Sequence, residues 1–305
     1  MNEITKDILR RIAVFKEKYM NSAYSIREDG DCVGRQANEN VTIENTEGKP
    51  GIVVHVKAGS KGETVYIPTC VTKSMDDLVY NDFYIGEGAE CTIVAGCGVH
   101  TDSHEAVRHN GVHRFFLGKD SKVKYLEKHV GTGEGEGIRS IDPVTEVYIG
   151  EGAFLEMDTS QIGGVDRADR KTTGTIEARG KLLVRERLLT EGEQTADTYF
   201  DVELKGEDSS ADIISRSVAR GKSRQTYTST ITGSARCSGH SECDSIIDGE
   251  AIVDAAPRLN AHHSDAALIH EAAIGKIAGE QILKLRSLGL TEQEAENMII
   301  EGFLS

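Results

Sequence analysis

The chain contains no tryptophan, and aromatic residues make up only 5% of its 305 positions. Its interior must therefore be filled mainly by Val, Ile, Leu and Ala, a composition that suits thin β-layers turned by the 32 glycines. Basic residues are also scarce. Lys and Arg number 35 against 50 Asp and Glu, for a formal charge of -15. That balance weighs against nucleic-acid binding, whose affinity comes largely from cations neutralising phosphates. Long apolar runs are absent too. Met1 to Tyr19 mixes charged and apolar residues, so neither a signal peptide nor a membrane span is expected there or later. Six cysteines are too few and too scattered for a secreted disulfide framework in a chain of this size. They point to a cytoplasmic setting with reduced thiols free to bind metal.

Residues 1–19 place Ile4, Ile8, Ile12, Phe15 and Tyr19 on one helical face. From about residue 40 the period changes to short strand-like runs, such as Ile52-Val53-Val54-His55-Val56 and Glu63-Thr64-Val65-Tyr66-Ile67, separated by Gly, Asp and Asn turn signals. An internal repeat then emerges. Residues 84–89, 116–121 and 148–153 each read aromatic, aliphatic, Gly and a small sixth residue, with the first Gly at 86, 118 and 150, a period of 32. A constant period of strand-like units predicts stacked coils that bury their apolar edges against their neighbours. The expected fold is mainly β: a β-helix (solenoid) core over 40–265, an N-terminal helical segment over 1–39 and a C-terminal helical segment over 266–305. A β-sandwich with chance similarity between strands is the alternative, because the spacing becomes irregular after residue 160.

At the C-terminus Ile274, Ile277, Ala278, Ile282, Leu285 and Leu288 form an apolar stripe, and Gly289 supplies a stop. Thr291 with Glu294 forms a capping box for a last helix carrying Ala295, Met298 and Ile299. These helices either cap the solenoid or dock another protein.

Just upstream, Cys237, His240 and Cys243 fall within seven residues, and His262, His263, His270 and Glu271 follow soon after. Thiolate, imidazole and carboxylate donors at this density suit an iron or iron-sulfur site. On a strand His262 and His263 would point to opposite faces, so at most one of them should reach it.

The ordered set Cys243-Asp244-Ser245-Ile246-Ile247, Asp265-Ala266, His270-Glu271-Ala272-Ala273-Ile274-Gly275-Lys276-Ile277, Gly289-Leu290-Thr291-Glu292-Gln293-Glu294-Ala295 and Met298-Ile299-Ile300-Glu301-Gly302-Phe303 resembles the SufB/SufD scaffold family of iron-sulfur cluster assembly. The likeness around Gly111–Phe116 and Tyr125–Glu127 is weaker. The resemblance implies a β-helix core followed by helices that dock an ABC-type ATPase. It also implies a role as a scaffold that assembles and transfers iron-sulfur clusters without being an enzyme itself. By position it assigns Cys243 and Glu271 to nascent-cluster assembly, with His270 as the adjacent ligand. Cys237, His240 and His263 are further metal candidates without a matched role. The cluster type, [4Fe–4S] among the options, and the sulfur donor are not specified. Three departures mark this chain: no cysteine lies between Cys97 and Cys237, Ile269 precedes His270, and the region before the β-core is short. They suggest a compact form that combines the B and D roles in a homodimer.

A second constellation, Cys91, Cys97, His100, His104, His109 and His113, is dense enough for metal, although alternating strand faces work against convergence of all six. Glu134 and Glu136 read as an acidic loop. Gly118-Lys119-Asp120 and Gly221-Lys222-Ser223 lack the leading glycine of a phosphate loop, with His113 and Arg216 in its place, so any ATP hydrolysis belongs to a partner. Two other readings remain: a metal-binding structural partner protein, and a β-helix carbohydrate-active enzyme using acids such as Asp244, Asp248 and Glu271, for which a sugar-stacking aromatic stripe is not evident.

Overall fold

A computed structural model describes residues 1–12 and 22–305. The chain opens with α1 (Glu3–Ile12), β1 (Ala23–Glu28), β2 (Asp31–Gln36), β3 (Val41–Asn45), β4 (Gly51–Val56), β5 (Glu63–Val71) and β6 (Asp76–Ile85). It continues through β7 (Glu90–His100), β8 (Val107–Leu117), β9 (Lys122–Thr132), β10 (Arg139–Ile141), β11 (Val144–Ile149), β12 (Phe154–Ile162) and β13 (Arg167–Ile176). Then come β14 (Lys181–Thr190), β15 (Thr195–Leu204), β16 (Ser209–Gly221), β17 (Arg224–Gly233), β18 (Cys237–Gly249), β19 (Ile252–Ala261) and β20 (Ala266–Gly275). Two helices end it, α2 (Gly279–Ser287) and α3 (Glu292–Phe303).

Successive strands alternate between two sheets, one ordered β2-β1-β5-β7-β9-β12-β14-β16-β18-β20 and the other β19-β17-β15-β13-β10-β8-β6-β4-β3, with β11 between β13 and β8. The pairings are parallel except at the hairpins β1–β2 and β3–β4. This is the expected β-solenoid, of about eight turns. Strand structure begins at Ala23 and persists to Gly275, beyond both expected limits of 40 and 265. Ile274 therefore belongs to β20 rather than to a helical stripe. No described helix is long and apolar enough to cross a membrane.

The repeat of 32 is the height of one coil. Phe83 pairs with Phe115, and Tyr84, Phe116 and Tyr148 stack in a ladder with centroids 4.7 and 5.0 Å apart. The repeated glycines turn the corner. A Cβ on Gly86 would lie 2.4 Å from the Ala58 amide nitrogen, and the next corner residues, Gly88, Asp120 and Gly152, have positive φ. The small sixth residues Ala89, Ser121 and Ala153 are wholly buried under the turn. Beyond residue 150 the offset between paired residues drops from 32 to 27–29. The longer coils contain the loops 101–106 and 133–138, and their absence further on explains the irregular spacing in the sequence.

Helix α1 lies on the outer face of β7. It buries Thr5, Ile8, Leu9 and Ile12, while Ile4, expected on that face, is 38% exposed. Gly98 and Gly96 let the helix seat closely, since a Cβ at either would strike Ile8 or Ile12 at 2.0 or 2.7 Å. Phe15 and Tyr19, the rest of that expected face, lie outside the described residues. At the other end α3 docks Ile300 and Leu304 against Val218. Its capping box is present as expected: Thr291 accepts from the Glu294 amide, and the Glu294 carboxylate accepts from the Thr291 amide. Gly289, at φ +98°, ends the preceding turn. Helix α2 buries none of its residues.

Candidate metal centre at the open end of the solenoid

Each strand sends alternate side chains into the coil and out to solvent. On β18 Cys237, Gly239, Ser241, Cys243 and Ser245 face inward, while His240, Glu242 and Asp244 face out. Parallel register carries the same faces to β20: Ser241 pairs with His270, Glu242 with Glu271, and Cys243 with Ala272. His270 therefore shares the interior side with Cys243. Glu271 lies on the opposite face, so the expected trio of Cys243, His270 and Glu271 does not converge within one chain.

The remaining candidates are also distributed. Cys237 is buried on the same face as Cys243 but six residues away along an extended strand, about 20 Å, too far to share one ion with it. His263 is exposed in the turn between β19 and β20, where its Nδ1 accepts from the Asp265 amide at 3.1 Å. His262 lies in the same turn rather than on a strand.

The interior donors are Cys243 and His270. Burial, reinforced by the charges of Glu186 and Asp244, pushes the Cys243 thiol up to about 11, although the Ser245 hydroxyl opposes this. The thiol is thus protonated at neutral pH until a metal displaces the proton. His270 Nδ1 donates to the Ser241 carbonyl at 3.0 Å. That bond fixes the tautomer and leaves Nε2 with its lone pair as the ligand atom.

The outer donors form a compact group that the sequence reading only partly anticipated. Atoms of His240, Glu242 and Glu271 lie within 4.8 Å of one another. His240 Nδ1 donates to Asp212 Oδ1 at 2.8 Å, while its Nε2 lies 3.8 Å from Glu271 Oε2. A carboxylate behind one imidazole nitrogen and an open lone pair on the other is the arrangement that orients metal-binding histidines. Burial, then the neighbouring Asp244 charge, raises the Glu242 pKa. A divalent cation would relieve that repulsion. Asp212 and Glu242 were not singled out from sequence. The coil offset was the signal that could have found them, since Asp212 pairs with His240 and Glu242 with Glu271.

The second constellation disperses. Cys91 joins the apolar core, His100 bonds Thr132 at 2.9 Å and Asp102 at 3.1 Å, and exposed His104 pairs with Glu136. His109 bonds buried Asp77 at 2.9 Å. Inside the coils a buried polar layer separates the two apolar compartments. Arg170 bridges to Glu186 at 3.1 Å, and Glu186 accepts from Ser215 at 2.8 Å. Ser241 bonds Tyr227 and Ser229 at 3.0 and 2.8 Å.

The chain is thus a parallel β-solenoid with helical ends whose last coil carries thiol, imidazole and carboxylate donors. The chain is a member of the SufB/SufD family: residues 78–303 match the family described as "SUF system FeS cluster assembly, SufBD core domain". It is 28% identical over 282 residues to an iron-sulfur cluster assembly SufBD family protein of Archaeoglobus fulgidus, covering 92% of this chain and 73% of that one. A homologue of the same description from Methanothermobacter thermautotrophicus is 29% identical over 229 residues, 74% of this chain and 55% of its own length. One from Methanocaldococcus jannaschii is 25% identical over 287 residues, covering 92% and 89%. The family ties the chain to iron-sulfur cluster assembly.

Proposed function

We propose that this chain is a non-catalytic scaffold on which an iron-sulfur cluster is built and then released, with the last coil as the assembly site. The observation that carries this reading is the pairing of β18 with β20. Two adjacent strands present a thiol and a free imidazole nitrogen on one face and a His/Glu/Glu group on the other. The oxygen and nitrogen donors suit incoming ferrous iron, and the Cys243 thiolate suits iron already joined to sulfide. Mixed ligation of this kind holds a cluster less tightly than four thiolates and favours its release.

A homodimer completes the site. Strands β19 and β20 are edges of the two sheets at the C-terminal end, opposite the edges β3 and β2, and both end the same coil. Ile252 and Leu259 on one and Ile269 and Ile274 on the other are 37–56% exposed. Unpaired edges with apolar side chains favour strand addition by another chain. A second copy pairing there would bring a second donor set to the first. The ABC-type ATPase partner would dock on residues 272–304, where Leu283, Leu288 and Met298 are 63%, 80% and 49% exposed. The carbohydrate-active reading has little support, because the outer rings of Tyr84, Phe116 and Tyr148 stack on one another and their faces are not free for a sugar.

Anaerobic reconstitution of the full chain with ferrous iron and sulfide tests the reading. Acid-labile sulfide and a visible charge-transfer absorption are expected, and both should be lost in Cys243→Ser. An undiminished absorption in that variant removes Cys243 from the site. Co-purification with a tagged ATPase subunit, abolished by Leu283→Asp, tests the docking face.

A further inference from the structure

The coil offset that links β18 to β20 also brings together three donors far from the open end. Cys97 on β7 pairs in register with His129 on β9, and Ala95 pairs with Glu127, so all three side chains point into the same interior layer. Their donor atoms lie within 4.8 Å of one another, and the residues are 0–4% exposed. Cys97 also packs with Val71 and Val99 in an apolar cluster, but a carboxylate and an imidazole buried beside it carry a desolvation cost that apolar groups of the same size would not.

A second observation points to a ligand. His129 Nε2, 3.3 Å from Glu127 Oε1, lacks a well-directed hydrogen bond although it is wholly buried. Native interiors rarely leave such an atom orphaned. Glu127 is already fixed by the Tyr125 hydroxyl, which donates to Oε1 at 2.8 Å. A void of about 10 Å³ adjoins the group on the Glu127 and Arg170 side, with Cys97 and His129 outside its lining.

We propose that Cys97, Glu127 and His129 form a buried site for a single borderline divalent ion of the zinc or ferrous class, with water in the fourth position. A sulfur, nitrogen and oxygen donor set selects that class over magnesium or calcium. Donors on one tetrahedral ion lie about 3.3–3.8 Å apart, so adjustments of roughly 1 Å close the site. Loading releases the thiol proton to solvent. It also moves the imidazole proton from Nε2 to Nδ1, where the Arg170 guanidinium donates at 3.1 Å in the ion-free chain. Arg170 then keeps only its other partners, Gln161 and Glu186. The site is structural: it ties two adjacent coils across the polar layer and does not depend on the cluster-assembly reading.

The test uses the full chain carrying Cys237→Ser and Cys243→Ser, which removes the thiols of the last coil, produced anaerobically in cobalt-supplemented medium. A near-ultraviolet thiolate-to-cobalt charge-transfer band equivalent to one thiolate-bound cobalt per chain is expected, beside any cobalt held without a thiolate at the His240 group. Adding Cys97→Ala, a small substitution at a buried site, should abolish the band. Tyr125→Phe, which loosens Glu127 and frees His113 Nδ1 but leaves the three donors in place, should weaken affinity about tenfold. As a second readout, zinc should raise the melting temperature of the parent by clearly more than that of its Cys97→Ala derivative, which keeps only the outer His240 group. Absence of the band from the parent, or its persistence without Cys97, overturns the site.

Discussion

The coil around Cys97 and the coil around Cys243 follow the same alternation of strand faces, yet they are finished in opposite ways. Strand β7 is paired on both sides and covered on its outer face by α1, so Cys97, Glu127 and His129 are sealed. The strand beyond β18 is an edge, and the donors it carries are partly or largely exposed. The first arrangement serves the fold, because groups sealed there are out of reach of solvent and of other chains. The second has an unpaired edge and open lone pairs that groups from outside can reach, as the proposed function requires. On that proposal, position along the solenoid, more than residue type, separates a site that holds from one that transfers.

The largest expected effect contrasts the packing of an interior coil with that of the last. Phe115 is wholly buried, stacked on Phe83 at 4.7 Å and edge-on to Tyr125 at 4.9 Å. Phe115→Ala should cost about 3–5 kcal/mol in denaturant unfolding, the range for emptying an aromatic core site. Leu268→Ala on the half-buried last strand should cost about 1 kcal/mol. Equal losses would show that the end coil is as well packed as the interior. That result would argue against its being an unfinished edge.

Acidity should separate the regions next. Burial, with the charges of His109 and His129 adding and Glu127 opposing, lowers the pKa of His113 to about 4. Below the unfolded value near 6.5 the unfolded chain therefore binds a proton that the folded chain refuses. Stability should fall by about 3 kcal/mol as pH drops from 6.5 to 4, and the depressed His129 acts in the same direction. The Glu127 carboxylate, held low by His129, His113 and Arg170 against its burial, adds a loss below pH 4.5. In the alkaline direction buried thiols withdraw stability in both regions: Cys243, raised to about 11, as pH climbs from 9 towards 11, and Cys91, pushed up to about 12 by burial and then Glu63, together with Cys97 at higher pH. Unfolding midpoints measured across pH should show the acid limb shrinking in His113→Gln and the alkaline limb in Cys243→Ser. An acid limb unchanged in His113→Gln would mean that the buried layer admits protons without unfolding.

The solenoid was legible because its period is written in short local words: an aromatic, an aliphatic, a corner glycine and a small residue, each placed by backbone sterics. The C-terminal cap was legible for the same reason, since Thr291 and Glu294 are three residues apart and need nothing else. Sites are different. Cys97 meets Glu127 and His129, and His240 meets Asp212 and Glu271, across distances of one coil, and the coil shortens from 32 to 27–29 residues once the loops 101–106 and 133–138 are passed. Grouping by nearness in sequence therefore put Cys97 with His100 and His104, which point elsewhere, and Cys237 with Cys243, which lies on the same strand but too far along it. The split of His270 from Glu271 needed only the two-residue period, but it was hidden by reading adjacent ligands as a pair. The interior polar layer left no trace in local pattern, because its members meet across coils, as Arg170 meets Glu186 and Glu186 meets Ser215.

The smallest expected change in stability is at the outer donor group. Glu271 is 68% exposed at its side chain and pairs only loosely with His240, at 3.8 Å. Glu271→Gln should therefore alter unfolding free energy by less than about 0.5 kcal/mol. It removes a charged ligand from the His240 group and leaves Asp212 behind the imidazole, so ferrous or cobalt affinity at this face should drop about tenfold or more, read by titration of the metal-free chain. In the buried group the balance is the other way: Glu127→Gln should weaken the fold as well as any bound ion, because the carboxylate also holds Tyr125 and faces His129 and Arg170. A variant at Glu271 that unfolds the chain, or one at Glu127 that leaves stability untouched, would erase the distinction between a sealed coil and an open one.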